Sequence, residues 1–236
     1  MQDVLRPVGR PSRSYGKPGA PVQRLRRAAA ALGLLAMLLS PAAAADAPIR
    51  IVVLGDSLSA GFGLAAQDAL PAKLERALKA KGHNVTIENA GVSGDTAAGG
   101  LGRLDWSVPD GTDAVILELG ANDALRGADP KQTRRSLEAI IRRLKERRIA
   151  VLLAGMLAPR NFGEDYVNAF DPIYPELAAA HDLILYPFIL DGVAGDRALN
   201  LSDGIHPTAA GVDIIVAGML PKAEELLARV KAARGS

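Results

Sequence analysis

Residues 49–63 read I-R-I-V-V-L-G-D-S-L-S-A-G-F-G. From Ile49 to Leu54 the run is apolar apart from Arg50, and a turn of glycine and small residues carrying Ser57 follows at once. In an open parallel sheet, ligands bind at the C-terminal ends of strands, where loops splay apart and helix N-termini point inward. Ser57 is therefore placed for chemistry. A serine ahead of a helix is more often only an N-cap, so the rest of the chain has to decide.

Further apolar runs at 84–89, 113–119, 149–155 and 183–187 alternate with helical patterns near 69–81, 97–104, 131–147 and 163–180, and a last helix covers 208–233. Such alternation implies right-handed crossovers and a parallel sheet between two layers of helices. The expected fold class is α/β, a three-layer α/β/α sandwich on a parallel five-stranded sheet, with no internal repeats.

Ahead of this pattern, residues 1–27 carry Arg6, Arg10, Arg13, Lys17, Arg24, Arg26 and Arg27 against the single acid Asp3. An apolar stretch, Ala28 to Leu39, leads into Ser40-Pro41-Ala42-Ala43-Ala44-Ala45-Asp46. A basic region, a short apolar core and an A-x-A site together describe a secretory signal peptide over 1–45, cut after Ala45 or alternatively after Ala47. The apolar run is too short for a comfortable membrane span, so no stable span is expected once the leader is removed. The protein is expected to be periplasmic or secreted.

Removing the leader changes the charge balance. The whole chain has 28 Lys and Arg against 26 Asp and Glu; residues 46–236 have 21 against 25, so the net charge moves from +2 to −4. No basic groove with interleaved aromatics remains, so no nucleic acid partner is expected. The basic run from Arg134 to Arg148 belongs to a helix whose Leu137, Ile140, Ile141 and Leu144 share one face, which leaves the arginines on a solvated outer face. Residues 46–236 suit one domain with its own core. With 0 cysteines there is no disulfide, thiolate nucleophile or lipid-bearing cysteine. The 3 histidines show no ligand spacing, so no metal is expected.

Four polar segments stand out: Gly55-Asp56-Ser57-Leu58-Ser59, Asn89 to Thr96, Gly120-Ala121-Asn122-Asp123, and Asp203-Gly204-Ile205-His206-Pro207. The first three each follow a predicted strand, so in a parallel sheet they open on the same edge. Acyl transfer is the chemistry this set suits. A serine hydroxyl needs an imidazole to take its proton, and the imidazole needs a carboxylate on its other nitrogen. His206 and Asp203 are of the right types, three residues apart. A developing oxyanion needs donors already oriented, and the Gly94 N–H and the Asn122 amide qualify.

Ser57, Gly94, Asn122 and His206, in their Gly-Asp-Ser-Leu, Ser-Gly-Asp-Thr, Gly-x-Asn-Asp and Asp-x-x-His-Pro settings, resemble the SGNH or GDSL hydrolase superfamily. Within it, the resemblance is to the periplasmic thioesterase, arylesterase and lysophospholipase group, across residues 49–220. It implies a flavodoxin-like sandwich and cofactor-independent hydrolysis of carboxylic esters or thioesters. It also implies Ser57 as nucleophile, His206 as general base, Asp203 as its orienter, and an oxyanion hole of Ser57 N–H, Gly94 N–H and Asn122. Ala121 departs from relatives that often have glycine there. The segment Leu157 to Gly163 resembles the family's mobile acyl-binding loop, which brings Leu157, Pro159 and Phe162, with Leu58, into the expected substrate pocket.

Neighbouring residues have plainer readings. Ser59 packs or caps at a helix start, Asp56 holds the turn, and Asp95 and Asp123 bond nearby backbone N–H groups. His83 and His181 precede strands and belong at the opposite edge. Trp106 is expected to pack beneath a loop. A nucleotide module would need a phosphate loop and an α/β-hydrolase a G-x-S-x-G elbow; both are absent. A carbohydrate O-acetyl esterase on the same scaffold is the alternative function, and a non-catalytic binding descendant a more distant one. Leu58, Phe62, Leu64, Leu157 and Phe162 favour a short-to-medium acyl chain over a sugar. The partner is then a small acyl ester or thioester, and the default state a monomer.

Overall fold

The structure, a computed structural model, describes residues 47–235; the predicted leader lies outside the described residues. Its sheet consists of β1 (Ile49–Gly55), β2 (Val85–Gly91), β3 (Ala114–Glu118), β4 (Ala150–Ala154) and β5 (Ile184–Tyr186). The helices are α1 (Ser57–Ala60), α2 (Leu70–Ala80), α3 (Ala97–Gly102), α4 (Leu104–Ser107), α5 (Ala121–Leu125), α6 (Pro130–Glu146), α7 (Glu164–Phe170), α8 (Ile173–His181) and α9 (Ala209–Arg234).

The strand order is β2-β1-β3-β4-β5 and every neighbouring pair is parallel, as the alternation predicted. β1 is buried at every position except Arg50, and β3 at all five. Near-continuous burial of this kind marks strands covered on both faces. The chain moves one way from β1 to β2 and the other way from β3 onward. Right-handed crossovers then put α2 on one face, where it packs on α9, and α3, α6 and α8 on the other. The reversal opens a crevice between the ends of β1 and β3, the switch point at which such sheets bind ligands.

Local chemistry sets the helices. Asp129 caps α6 by accepting from Lys131 N at 3.0 Å, Pro130 takes the first turn, and Leu137, Ile140, Ile141 and Leu144 are all buried. The arginines of α6 face outward and pair across the surface, Arg134 with Glu176 and Arg143 with Asp105. Such exposed pairs contribute little to stability.

Three expectations are corrected. The single helix expected over 163–180 is two, α7 and α8, because Pro172 has no N–H to give the preceding turn and its ring crowds it. The helix at 97–104 ends at Gly102, and α4 starts afresh after Arg103. Trp106 is not beneath a loop. It is 73% exposed, since Leu104 and Ser107 occupy the buried side of the short α4. His83 and His181 lie just before β2 and β5 as expected, facing Glu224 at 3.1 Å and Glu138 at 3.3 Å. Among the described residues, no helix is long and apolar enough to cross a membrane.

Candidate active site

β1 ends at Gly55, and the next residue caps a helix: Asp56 Oδ1 accepts from Leu58 N at 3.0 Å, which makes Ser57 the first residue of α1. The abrupt turn needs a glycine. A Cβ at Gly55 would lie 2.2 Å from Ser59 Oγ and 2.6 Å from Glu118 Oε2. As a first-turn residue, Ser57 has a backbone N–H with no intrahelical acceptor to use.

The Ser57 hydroxyl lies 2.9 Å from His206 Nε2, and His206 Nδ1 lies 2.7 Å from Asp203 Oδ2. The other Asp203 oxygen, Oδ1, accepts from Ile205 N and His206 N, each at 3.0 Å. The Ile205 N–H, the His206 ring and the His206 N–H together lower the Asp203 carboxyl to about 2. An acceptor-only carboxylate beside Nδ1 keeps the proton on that nitrogen and leaves the Nε2 lone pair facing Ser57. The loop is held at both ends, by Leu201 N donating to His206 O at 2.7 Å and by the bridge between Asn200 and Pro207; Thr208 then caps α9.

Asn122, on α5, donates Nδ2 to Asp56 Oδ2 at 3.1 Å, and its second N–H remains to meet a ligand. Asp56 is fully buried. Burial pushes its carboxyl up to about 6, against the pull of the Leu58 N–H and the Asn122 amide. Beneath it, Glu118 Oε2 accepts from Ser59 Oγ at 2.7 Å and from Asp56 N at 3.2 Å. Burial, with the Asp56 charge second, holds Glu118 well above the usual carboxylate range. Asp56 thus does more than hold the turn: it orients Asn122.

Gly94 sits at φ +84° in a turn closed by Asp95 N donating to Val92 O at 3.1 Å, a conformation that favours glycine. Arg126 donates to its carbonyl at 2.8 Å. Asp95 and Asp123 are structural, with partners more distant than the local N–H groups expected. Asp95 pairs with Arg103 at 2.6 Å; Asp123 accepts from Ala97 N at 2.9 Å and Thr133 Oγ1 at 3.1 Å.

A cavity of about 440 Å³ opens beside Ser57, Asn122 and His206, walled mainly by apolar side chains that include Leu58, Leu125, Met156, Leu157, Ala158 and Pro159. Asp171 anchors one wall by accepting from Ala158 N at 2.8 Å and Arg160 Nη1 at 2.7 Å. Two aromatics are elsewhere than expected. Phe162 is not among the lining residues; its ring lies 5.3 Å from that of Tyr166 and covers Gly127. Phe62 lies against the imidazole of His206, ring centres 4.4 Å apart, and Leu64 packs on the core. Gly94 also stands outside the lining. Among the described residues, no group of three or more His, Asp or Glu is arranged to hold a metal.

Sequence reasoning missed Glu118 and Arg103. Glu118 had a signal, a lone carboxylate in the apolar run A-V-I-L-E-L. Arg103 had none, because its partners lie on three separate segments.

The chain is similar to known proteins over most of its length. The description "GDSL-like Lipase/Acylhydrolase family" matches residues 53–214. Esterase TesA of Pseudomonas aeruginosa is 38% identical over 197 residues, 83% of this chain and 96% of that protein. Thioesterase 1/protease 1/lysophospholipase L1 of Escherichia coli K12 is 37% identical over 82% of this chain and 90% of its own length. The crystal structure of AlinE4, an SGNH-hydrolase family esterase, superposes with a TM-score of 0.64 at 45% identity, covering 76% of this chain and 97% of that one.

Proposed function

The chain belongs to the GDSL-like lipase/acylhydrolase family, and we propose that it is a serine esterase hydrolysing carboxylic esters or thioesters of short-to-medium acyl chains. The observation that carries this reading is the run of close contacts from Asp203 through His206 to Ser57, 2.7 and 2.9 Å, ending at the mouth of an apolar cavity.

In this reading Ser57 Oγ attacks the acyl carbon while His206 Nε2 takes its proton, and Asp203 stabilises the imidazolium that forms. The tetrahedral oxyanion is received by the Ser57 N–H, the Gly94 N–H and the free N–H of Asn122. The imidazolium then protonates the leaving alcohol or thiol, and an acyl-enzyme remains on Ser57. Water, deprotonated by the same Nε2, releases the acid. Leu58, Leu157 and Pro159 receive the acyl chain along the cavity wall; Phe162 would act behind it, through Tyr166. No cofactor enters any step.

Residues 1–45 act as an export leader, so the working protein is the 46–236 domain, a monomer in the periplasm or medium. A rate panel on nitrophenyl acetate, butyrate, octanoate and palmitate, with Ser57→Ala as control, tests the reading. Rates that peak at butyrate or octanoate and vanish in the variant support it. Activity confined to acetate transfers the site to an O-acetyl esterase, and no turnover of any ester overturns it.

A further inference from the structure

Arg103 is a buried cation, 7% exposed, on none of the surfaces a substrate reaches. Its guanidinium reaches three segments of the chain. Nε donates to Asp95 Oδ2 at 2.6 Å, Nη1 to Ala90 O at 2.7 Å and Ser107 Oγ at 3.1 Å, and Nη2 to Gly55 O at 2.8 Å. Gly55 is the last residue of β1, just ahead of Asp56 and Ser57. Ala90 is near the end of β2, and Asp95 directly follows Gly94. The Gly55 carbonyl also accepts from Val92 N at 3.0 Å, at the start of the Gly94 turn.

Resting on the esterase reading above, we propose that Arg103 is a positioning residue for the oxyanion hole: it fixes the Gly94 N–H relative to the Ser57 N–H by tying the two strand ends and the Asp95 side chain to one rigid plane. Four fixed N–H directions on one planar group suit this task; a lysine has a single nitrogen on a flexible stem. A buried ion pair is weak evidence for stability, because the desolvation of both charges offsets their attraction. Geometry is the better account of why this one is built in. Donors held in advance matter because an error on the order of 1 Å in placement costs about 100-fold in rate.

The test compares Arg103→Lys with Gly99→Ala, which reaches the same contact from the other side. A Cβ at Gly99 would lie 1.9 Å from Asp95 Oδ1 and push that carboxylate off Arg103. Both proteins are assayed well below their melting temperatures for kcat, KM and affinity for an alkylboronic acid, which forms a tetrahedral adduct on the serine. The expected result is a kcat lower by roughly 10- to 100-fold, a KM within about threefold, and boronate affinity falling in parallel with kcat. A fold-only role predicts lower melting temperatures with unchanged kcat in the folded fraction, and that result overturns the proposal. So does a kcat loss with boronate affinity intact. If Arg103→Lys does not fold, Gly99→Ala decides alone, supported by Asp95→Asn. Wild-type protein that neither hydrolyses esters nor binds the boronate sinks the esterase reading itself, an outcome distinct from wild-type activity with unaffected variants.

Discussion

Asn122 gives its side-chain amide to Oδ2 of the buried Asp56 at 3.1 Å, so the residue immediately before Ser57 aims a donor carried on α5, the helix that follows the neighbouring strand β3. Replacing Asn122 with Ala should lower kcat roughly 100- to 1000-fold, the loss expected for one oxyanion donor. Asp56→Ala should give a smaller loss of the same kind, and the double variant should be little worse than Asn122→Ala alone, since both act on one amide. Additive losses in steady-state kinetics would separate the two residues.

Ser57→Ala and His206→Ala should each remove nearly all turnover while leaving the circular dichroism spectrum unchanged. Labelling by an alkyl phosphonate fluoride should fail with Ser57→Ala. Retained labelling there would move the nucleophile elsewhere.

Asp203 has its carboxyl held at about 2 by the Ile205 N–H and by the ring and N–H of His206. It therefore stays charged through the whole range in which an imidazole titrates, and contributes to stability above about pH 4, an effect lost only as the pH falls toward 2. Asp203→Asn keeps the shape but offers Nδ1 no charged acceptor; kcat should fall roughly 10³- to 10⁴-fold, measured at the pH optimum. A loss under about tenfold would assign the orienting role to the loop backbone instead.

Asp56, near 6, and Glu118, well above the usual range, bind protons in the folded chain that the unfolded chain has already released. Groups shifted upward in this way lower stability as the pH rises through their titration. Glu118→Gln removes one of them. Its melting temperature should gain on the wild type as the pH is raised from 4 toward 9. A difference that does not change with pH would mean that Glu118 titrates alike in the folded and unfolded chains.

The wall residue Ala158 is 3% exposed and lines the cavity. Ala158→Leu should shift the acyl optimum toward shorter chains and leave acetate nearly unaffected. An unchanged chain-length profile would place the acyl chain along another wall.

Much of this was legible along the chain. The alternation of short apolar runs with 3.6-period stretches gave five parallel strands in the right places, because periodicity is a local property written within a few residues of each position. The segments holding Ser57, Gly94 and Asn122 could be brought together because strand ends in a parallel sheet share an edge, whatever the packing, whereas the Asp203–His206 segment, which follows no strand, stood out by its residue types alone. Where the reading failed, local pattern competed with something local it had not weighed, as Pro172 did in splitting one expected helix, or with the size of an element, as α4 did in leaving Trp106 outside.

The sequence by itself therefore determined the fold class, the strand edge on which the chemistry gathers and the residue types gathered there. Only the tertiary structure decided that Asp56 serves Asn122, that Arg103 ties three segments, that Phe62 lies on His206, and that Phe162 stands behind the cavity wall. Those contacts join residues far apart along the chain, Ser57 to His206 across 149 positions and Asp56 to Asn122 across 66. Such pairs are chosen by how whole layers pack: a side chain's local pattern fixes which face it occupies, but the neighbour it meets there depends on helices and loops contributed from elsewhere.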